Sequence, residues 1–256
     1  MPRVKIYQGD CRKILRRLPT GKFDLIVTSP PYDAGKEYEG QRNLQAYTQF
    51  ARKWLSRIPR LLKPHGSLWL NVGYTKIGNN ETLPLTYLYH TVKPPELHLV
   101  QELVWHFEGG MAYKKRFTHR TERWMWFARN PDAVYFDLDA VRDARLNRTQ
   151  DKRNNPLGKN PSDYWYFDRV SGGTAAKAEK TAHPCQFPER MIRRIIRACS
   201  PAKGRVLDPF GGSGTTAVVA RKLGRRAVLC ELQPDYIKIM RQRLRDNGIR
   251  SRVIRQ

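Results

Sequence analysis

The chain's 256 residues suffice for one sizeable hydrophobic core, so a single domain over 1–256 carrying a small insertion is expected rather than two full domains. Its 48 lysines and arginines against 23 acidic residues leave a formal net charge of +25, which favours a polyanionic partner and exceeds what a small acidic ligand would require. Four cysteines (Cys11, Cys185, Cys199 and Cys230) without C-x-x-C spacing exclude a zinc ribbon and a secreted disulfide framework. With no signal-like opening and no run of membrane-span length, a cytoplasmic location is expected.

In chain order, residues 4–7 alternate as a short strand ending near Asp10, and 11–18 form a basic helix. FDLIVT (23–28) is nearly continuously apolar, as suits a parallel strand covered on both faces, and Pro30 and Pro31 force the chain out of the sheet. Apolar residues at helical spacing predict an amphipathic helix over 44–62, broken near Pro59. SLWLNV (67–72) follows as a strand, then a helical stretch within 84–100, then strands over 102–107 and 123–128 flanking the basic segment 113–119. Residues 141–181 are polar and aperiodic, with Tyr164-Trp165-Tyr166-Phe167 as the anchor, and read as a long loop touching the partner. Order returns with a helix after Pro188 that puts Ile192, Ile195, Ile196 and Cys199 on one face, a strand at 205–208, a helix at 215–223, a strand at 227–231 and a helix at 234–247 stopped by Gly248. The succession β, glycine loop, α, β, α defines an α/β sheet with crossovers.

The densest motif is Asp208-Pro209-Phe210-Gly211-Gly212-Ser213-Gly214-Thr215-Thr216, between a predicted strand and a predicted helix, where open α/β sheets bind ligands. A tight turn alone needs one or two of these glycines. The Lys of a phosphate loop and the G-x-G-x-x-G dinucleotide spacing are both absent. The loop therefore suits a compact zwitterionic or cationic ligand, with Asp208 for its positive end. Glu231 closes the next strand, where a carboxylate accepts ribose hydroxyls in nucleotide-type sites; by itself it is equally a solvated strand end.

The run DPFGGSGTT followed by GRRAVLCELQPDY resembles the S-adenosylmethionine site of the amino-group DNA methyltransferases. The resemblance implies a loop that embraces the methionine part of the cofactor and an acid that holds its ribose. It assigns Asp208, Phe210, Gly211, Gly212, Gly214 and Glu231 to cofactor binding, and Thr215 and Thr216 to a helix start whose hydroxyls reach the methionine carboxylate.

Ser29-Pro30-Pro31-Tyr32 ends the FDLIVT strand. Its prolines stiffen the backbone and leave carbonyls that only accept. An exocyclic amine offers two N–H groups, which a serine hydroxyl and a proline carbonyl can receive, while Tyr32 can stack on a base face. Ser29, Pro30 and Tyr32 are thus the expected catalytic residues of a direct in-line transfer, with no covalent intermediate and no metal required. Within the family, Ser in first place resembles the cytosine-N4 enzymes and Asp the adenine-N6 enzymes. Cytosine N4 in double-stranded DNA is the expected target; adenine N6, an RNA substrate, and DNA binding without catalysis are the alternatives.

The tetrapeptide precedes the glycine loop by about 180 residues, which resembles the beta arrangement of this family, a circular rearrangement of motif order on a Rossmann-like α/β fold with a mostly parallel sheet. Asp10, in IYQGDCRKIL, then corresponds to an acid near the cofactor's adenosine, although alone it would be a helix cap. His183, in His183-Pro184-x-Gln186-x-Pro188, corresponds to a contact beside the methionine end. Asn160-Pro161-Ser162-Asp163-Tyr164-Trp165 is similar to a segment of the cytosine-N4 group. Target recognition falls to the insertion 141–181 and to the loop 111–120, whose Lys114, Lys115, Arg116, His119 and Arg120 are the expected DNA contacts. A cognate restriction endonuclease and a second copy of the chain complete the expected partners. Pro184-Cys185 resembles the thiolate pair of cytosine-C5 enzymes, a reading that leaves S-P-P-Y without a task.

Overall fold

The computed structural model describes residues 4–32, 43–77, 81–109, 112–143, 155–170 and 178–255; parts of the expected recognition segments, 144–154, 171–177 and Met111, lie outside them. The chain opens with β1 (Val4–Gln8), α1 (Cys11–Arg17) and β2 (Phe23–Thr28), the last buried along its whole length. α2 (Leu44–Leu55) and α3 (Ile58–Leu61) lead into the long β3 (Leu62–Val72). A short antiparallel pair, β4 (Tyr74–Lys76) with β5 (Thr82–Pro84), precedes α4 (Leu85–Val92), and β6 (His98–His106), β7 (Thr121–Ala128) and β8 (Tyr164–Tyr166) follow. The last third runs α5 (Glu189–Cys199), β9 (Arg205–Asp208), α6 (Thr215–Lys222), β10 (Arg226–Glu231), α7 (Pro234–Asp246) and β11 (Ser251–Arg255).

One nine-stranded sheet takes the order β11-β1-β10-β9-β2-β3-β7-β6-β8. Within it only β7 runs against both neighbours; the other pairings are parallel. Helices cover both faces. Ile192, Ile195 and Ile196 of α5, Val218 of α6 and Met240 of α7 share one core with Leu25 and Val27. Ile14, Trp54, Leu61 and Leu88, from α1 to α4, share the other with Phe23 and Ile26. The near-alternation of FDLIVT between two apolar layers is why it reads as continuous. Its one acid, Asp24, is fully buried, accepts hydrogen bonds from Lys63 Nζ (2.7 Å) and the Arg205 backbone N–H (2.7 Å), and lies 3.2 Å from His65 Nε2. Burial acts to raise its carboxyl, but these partners outweigh it and hold it below the usual range, clipping β2, β3 and β9 together.

Strands β2 and β9 are distant in sequence yet adjacent. From β9 the chain crosses through α6 to β10 on one side, and from β2 through α2 and α3 to β3 on the other. Their junction is a topological switch point, the place where such sheets open a crevice at the carboxyl ends of the strands.

Several elements differ from the sequence reading. The expected helix over 44–62 ends at Leu55; Pro59 sits in the first turn of α3, where a missing N–H costs nothing, and Leu62 already belongs to β3. Strand β6 starts at His98 rather than 102, because a register shift between Leu99 and Gln101 breaks its alternation. The stretch 141–181 is not structureless: β8 pairs with β6, Asp143 bridges Lys159, and Trp165 stacks on Trp69 at 5.7 Å. Strands β4, β5 and β11 had no sequence signal strong enough to predict. Among the described residues no helix is long and apolar enough to cross a membrane.

Candidate active site

A cavity of about 460 Å³ opens at the switch point, lined by the residues that follow β1, β2, β9 and β10. Ser29 to Tyr32 form one wall and Asp208 to Ser213 another. The walls are tied together at their base: Thr28 Oγ1 donates to Asp208 Oδ1 across 180 positions of sequence at 2.6 Å, and Thr216 Oγ1 donates to Asp208 Oδ2 at 2.7 Å. Burial pushes the Asp208 carboxyl up to about 7 despite these hydroxyls and the Phe210 N–H.

At the other end, the Tyr32 hydroxyl lies 2.9 Å from Asn71 Oδ1 on β3 and 3.3 Å from Glu122 Oε2 on β7. Both oxygens only accept, so Tyr32 commits its one proton to them and receives the Ser29 hydroxyl proton at 2.9 Å. Ser29 keeps oxygen lone pairs for an incoming donor. Burial, reinforced by the Glu122 carboxylate, pushes the Tyr32 phenol well above its usual range, so it stays protonated. The Pro31 carbonyl accepts from Tyr47 Oη at 2.9 Å, which leaves the Pro30 carbonyl as the expected second acceptor. Asn71, Trp105, Glu122 and Arg169 all line the cavity, and sequence reasoning missed them. They sit on strands or in the insertion without any motif.

The glycine loop is shaped by close approach. Gly212 has φ +48°, its N–H donates to Glu231 Oε2 at 2.8 Å, and a Cβ there would lie 2.9 Å from His183 Nε2. Gln233 N–H takes the other Glu231 oxygen at 2.8 Å; burial nonetheless raises this carboxyl above its usual range. Phe210 packs its ring edge-on against Trp54 at 5.4 Å. His183 accepts from the Cys185 N–H on Nδ1 (3.1 Å) and meets the Tyr236 ring at 4.3 Å. Asp10 is both cap and cavity wall: its Oδ1 accepts from the Arg12 N–H at 2.8 Å, capping α1, and its Oδ2 pairs with the Arg12 guanidinium at 2.6 Å. Burial acts to raise its carboxyl, but the Arg12 hydrogen bonds and charge hold it below the usual range.

Two of the expected cofactor residues also carry structural tasks. Gly214 lies just behind the cavity wall; with φ +77° it caps α6, and a Cβ would collide with Met240 Cγ at 2.6 Å, so it shapes the backbone of the loop. Thr215 does line the cavity, but its hydroxyl takes a hydrogen bond from Arg243 Nη1 at 2.7 Å and lies 3.1 Å from Ser213 Oγ. Arg243 is buried and also donates to Glu189 at 3.0 Å, so Thr215 serves a cluster beneath the loop. The basic residues 114–116, 119 and 120 stand outside the cavity, between β6 and β7. Arg116 stacks over Tyr113 at 4.3 Å, His119 lies 4.8 Å from Tyr74, and Phe117 is 99% exposed. Since β7 begins beside the carboxyl end of β3, this loop rises from the same sheet edge as the cavity. Cys185, beside the cavity, is exposed, whereas Cys11, Cys199 and Cys230 are buried and their thiols pushed up by that burial.

Helices on both faces of a largely parallel sheet, with a glycine loop after β9 and an acid at the end of β10, define a Rossmann-like α/β methyltransferase. Residues 23–242 match the N6/N4 methyltransferase family, described as DNA methylase, and the chain belongs to that family. It is 45% identical over 248 residues to the type II methyltransferase M.ScaI of Streptomyces caespitosus, covering 94% of this chain and 81% of that protein. It is 34% identical to the type II methyltransferase M.BglII of Bacillus subtilis, over 93% of this chain and 68% of that one. In fold it is similar to PvuII DNA methyltransferase (cytosine-N4-specific), with a TM-score of 0.77 at 21% identity over 95% of this chain and 87% of that chain. A Thermus thermophilus protein complexed with S-adenosyl-L-methionine superposes with a TM-score of 0.69 at 22% identity, covering 98% of each chain.

Proposed function

We propose that this chain methylates the exocyclic N4 amine of cytosine in duplex DNA, using S-adenosylmethionine as donor. The convergence of Ser29–Tyr32 and the Gly211–Ser213 bend on one cavity carries the reading, because a direct transfer needs donor and acceptor sites facing one another. The residues present fit the donor: the cavity's roughly 460 Å³ lies in the range of small-molecule sites, Gly212 lets the loop close against the His183 ring at the cavity wall, and Asp10, Asp208 and Glu231 bring three carboxyl groups to its walls. Glu231 and Asp10 would hold the ribose and adenosine, and Phe210, Gly211, Gly212 and His183 the methionine portion. Bound there, S-adenosylmethionine supplies a methyl already activated on a sulfonium.

The chain's own part is to orient. Ser29 Oγ and the Pro30 carbonyl accept the two amine N–H groups, aim the nitrogen lone pair at the methyl, and bind more strongly as the nitrogen becomes positive. Tyr32, its hydroxyl pinned by Asn71 and Glu122, supports the base from the side. Serine in first place, together with the likeness to an enzyme named as cytosine-N4-specific, supports cytosine over adenine. Lys114, Lys115, Arg116, His119 and Arg120 grip the duplex beside the cavity mouth. The chain acts as one domain over 1–256, with the insertion 141–181, whose Arg169 and Val170 line the cavity, reading the target. A restriction endonuclease of matching specificity, in keeping with relatives named type II methyltransferases, a second copy of the chain and a cytoplasmic location belong to the same reading.

The test is transfer of labelled methyl to duplex DNA by the purified protein. Ser29→Ala should slow transfer by about 100-fold while binding the donor as the wild type does. A wild type that leaves DNA unlabelled, or Ser29→Ala at full rate, ends the reading.

A further inference from the structure

Transfer to an amine leaves one proton too many on the nitrogen, and neutral Ser29 cannot keep it. A path for that proton is visible in the hydrogen bonds. Ser29 donates to Tyr32 at 2.9 Å, and Tyr32 in turn lies 3.3 Å from Glu122 Oε2. We propose that Glu122 is the terminal base of the methyl transfer, reached from the target amine through Ser29 and Tyr32. The inference rests on the reading of Ser29–Tyr32 as the acceptor end.

The step balances without any other reactant. The nitrogen–carbon bond forms as the sulfur–carbon bond breaks, and sulfur keeps the electron pair. The amine nitrogen gives a proton to Ser29 Oγ, Ser29 passes its own to Tyr32 Oη, and Tyr32 passes its own to Glu122 Oε2. Serine and tyrosine end as neutral as they began, and the carboxylic acid returns its proton to solvent before the next turnover. The surroundings keep Glu122 suited to the task. Arg169 Nη2 stands 3.8 Å from its other oxygen, the Tyr32 phenol faces it from the end of β2, and Gly73 brings no side chain from the β3 side. Arg123 turns its guanidinium to Glu102 at 3.3 Å, and Cys185 is a further titratable neighbour of Tyr32. Asn71 fixes the phenol at 2.9 Å without competing for the proton, because an amide oxygen is a far weaker base.

The experiment compares single-turnover methylation of duplex DNA by wild type, Glu122→Gln, and Glu122→Gln combined with Asn71→Asp, across pH. The glutamine keeps a hydrogen-bond acceptor in place, and thermal melting and equilibrium binding of S-adenosylhomocysteine verify that fold and donor site persist. Wild type should lose rate at low pH as Glu122 protonates. Glu122→Gln should fall by about 100-fold or more and lose that acidic limb, and Asn71→Asp, which puts a carboxylate on the same phenol, should bring both back in part. Infrared difference spectra should show a carboxylic-acid band arising during turnover in wild type and missing in Glu122→Gln. Glu122→Gln turning over at the wild-type rate, or slowed with its acidic limb intact, overturns the assignment. If wild type transfers no methyl, or Ser29→Ala is unimpaired, the site reading itself falls.

Discussion

Burial holds the Asp208 carboxyl near neutrality with about 7 as its midpoint, whereas an unfolded chain would ionise it near 3.9. The folded state therefore binds a proton that the unfolded state does not between those values. Its contribution to stability is fully present below the lower one and is lost as pH rises through the upper one. Melting of the protein without donor, followed from pH 5 to 8, should show this slope, and Asp208→Asn should remove it. A cationic donor reverses the balance by favouring the carboxylate, so binding below neutral pH should release a proton, read by calorimetry in buffers of differing ionisation heat; absence of release would show that Asp208 does not face the charge. Gly214→Ala tests shape instead, since positive φ and the collision with Met240 should cost about 1–3 kcal/mol in urea unfolding. The tetrapeptide and the glycine loop were legible because prolines and glycines in sequence announce backbone geometry. Asn71 and Glu122 were not, because an Asn near the end of β3 and a Glu between Thr121 and Arg123 at the start of β7 belong to no motif, and only sheet register brings them to Tyr32.

Among the elements, α1 shows how one residue can serve the fold and the site together. Asp10 caps this helix, so Asp10→Ala should cost about 1 kcal/mol, whereas Asp10→Asn keeps the cap. A fall in donor affinity in Asp10→Asn at unchanged stability would isolate the ligand role, and equal affinity would leave only the cap. Beneath the loop, Arg243 joins α7 to Glu189 of α5 and to Thr215 of α6. Arg243→Met should destabilise by about 1–3 kcal/mol, because it removes the donor to Thr215 and to one Glu189 oxygen while Lys222 still pairs with the other at 3.0 Å; chemical denaturation at pH 7 measures it. Helices α5, α6 and α7 were readable from their apolar faces, yet β8 was not. Three residues carry no periodicity, and Trp165 is held in place through a ring from β3, far away in sequence.

At the scale of the molecule, the rearranged motif order becomes intelligible in the sheet, where β9 lies against β2 and the crevice opens between segments that the chain separates by most of its length. The sequence could announce crossovers but not strand order, since the choice of neighbours depends on which faces the helices cover. The excess positive charge should appear as steep salt dependence of DNA binding. Each phosphate contact contributes about −0.9 to the slope of log K against log salt, so replacing Lys114 and Lys115 together with alanine should lower its magnitude by nearly two, and an unchanged slope would take the loop off the DNA. The decisive question is which atom receives the methyl. Duplex DNA labelled by the wild-type protein and digested to nucleosides should carry its label on N4-methylcytosine; label on 5-methylcytosine or on N6-methyladenine alone would contradict it.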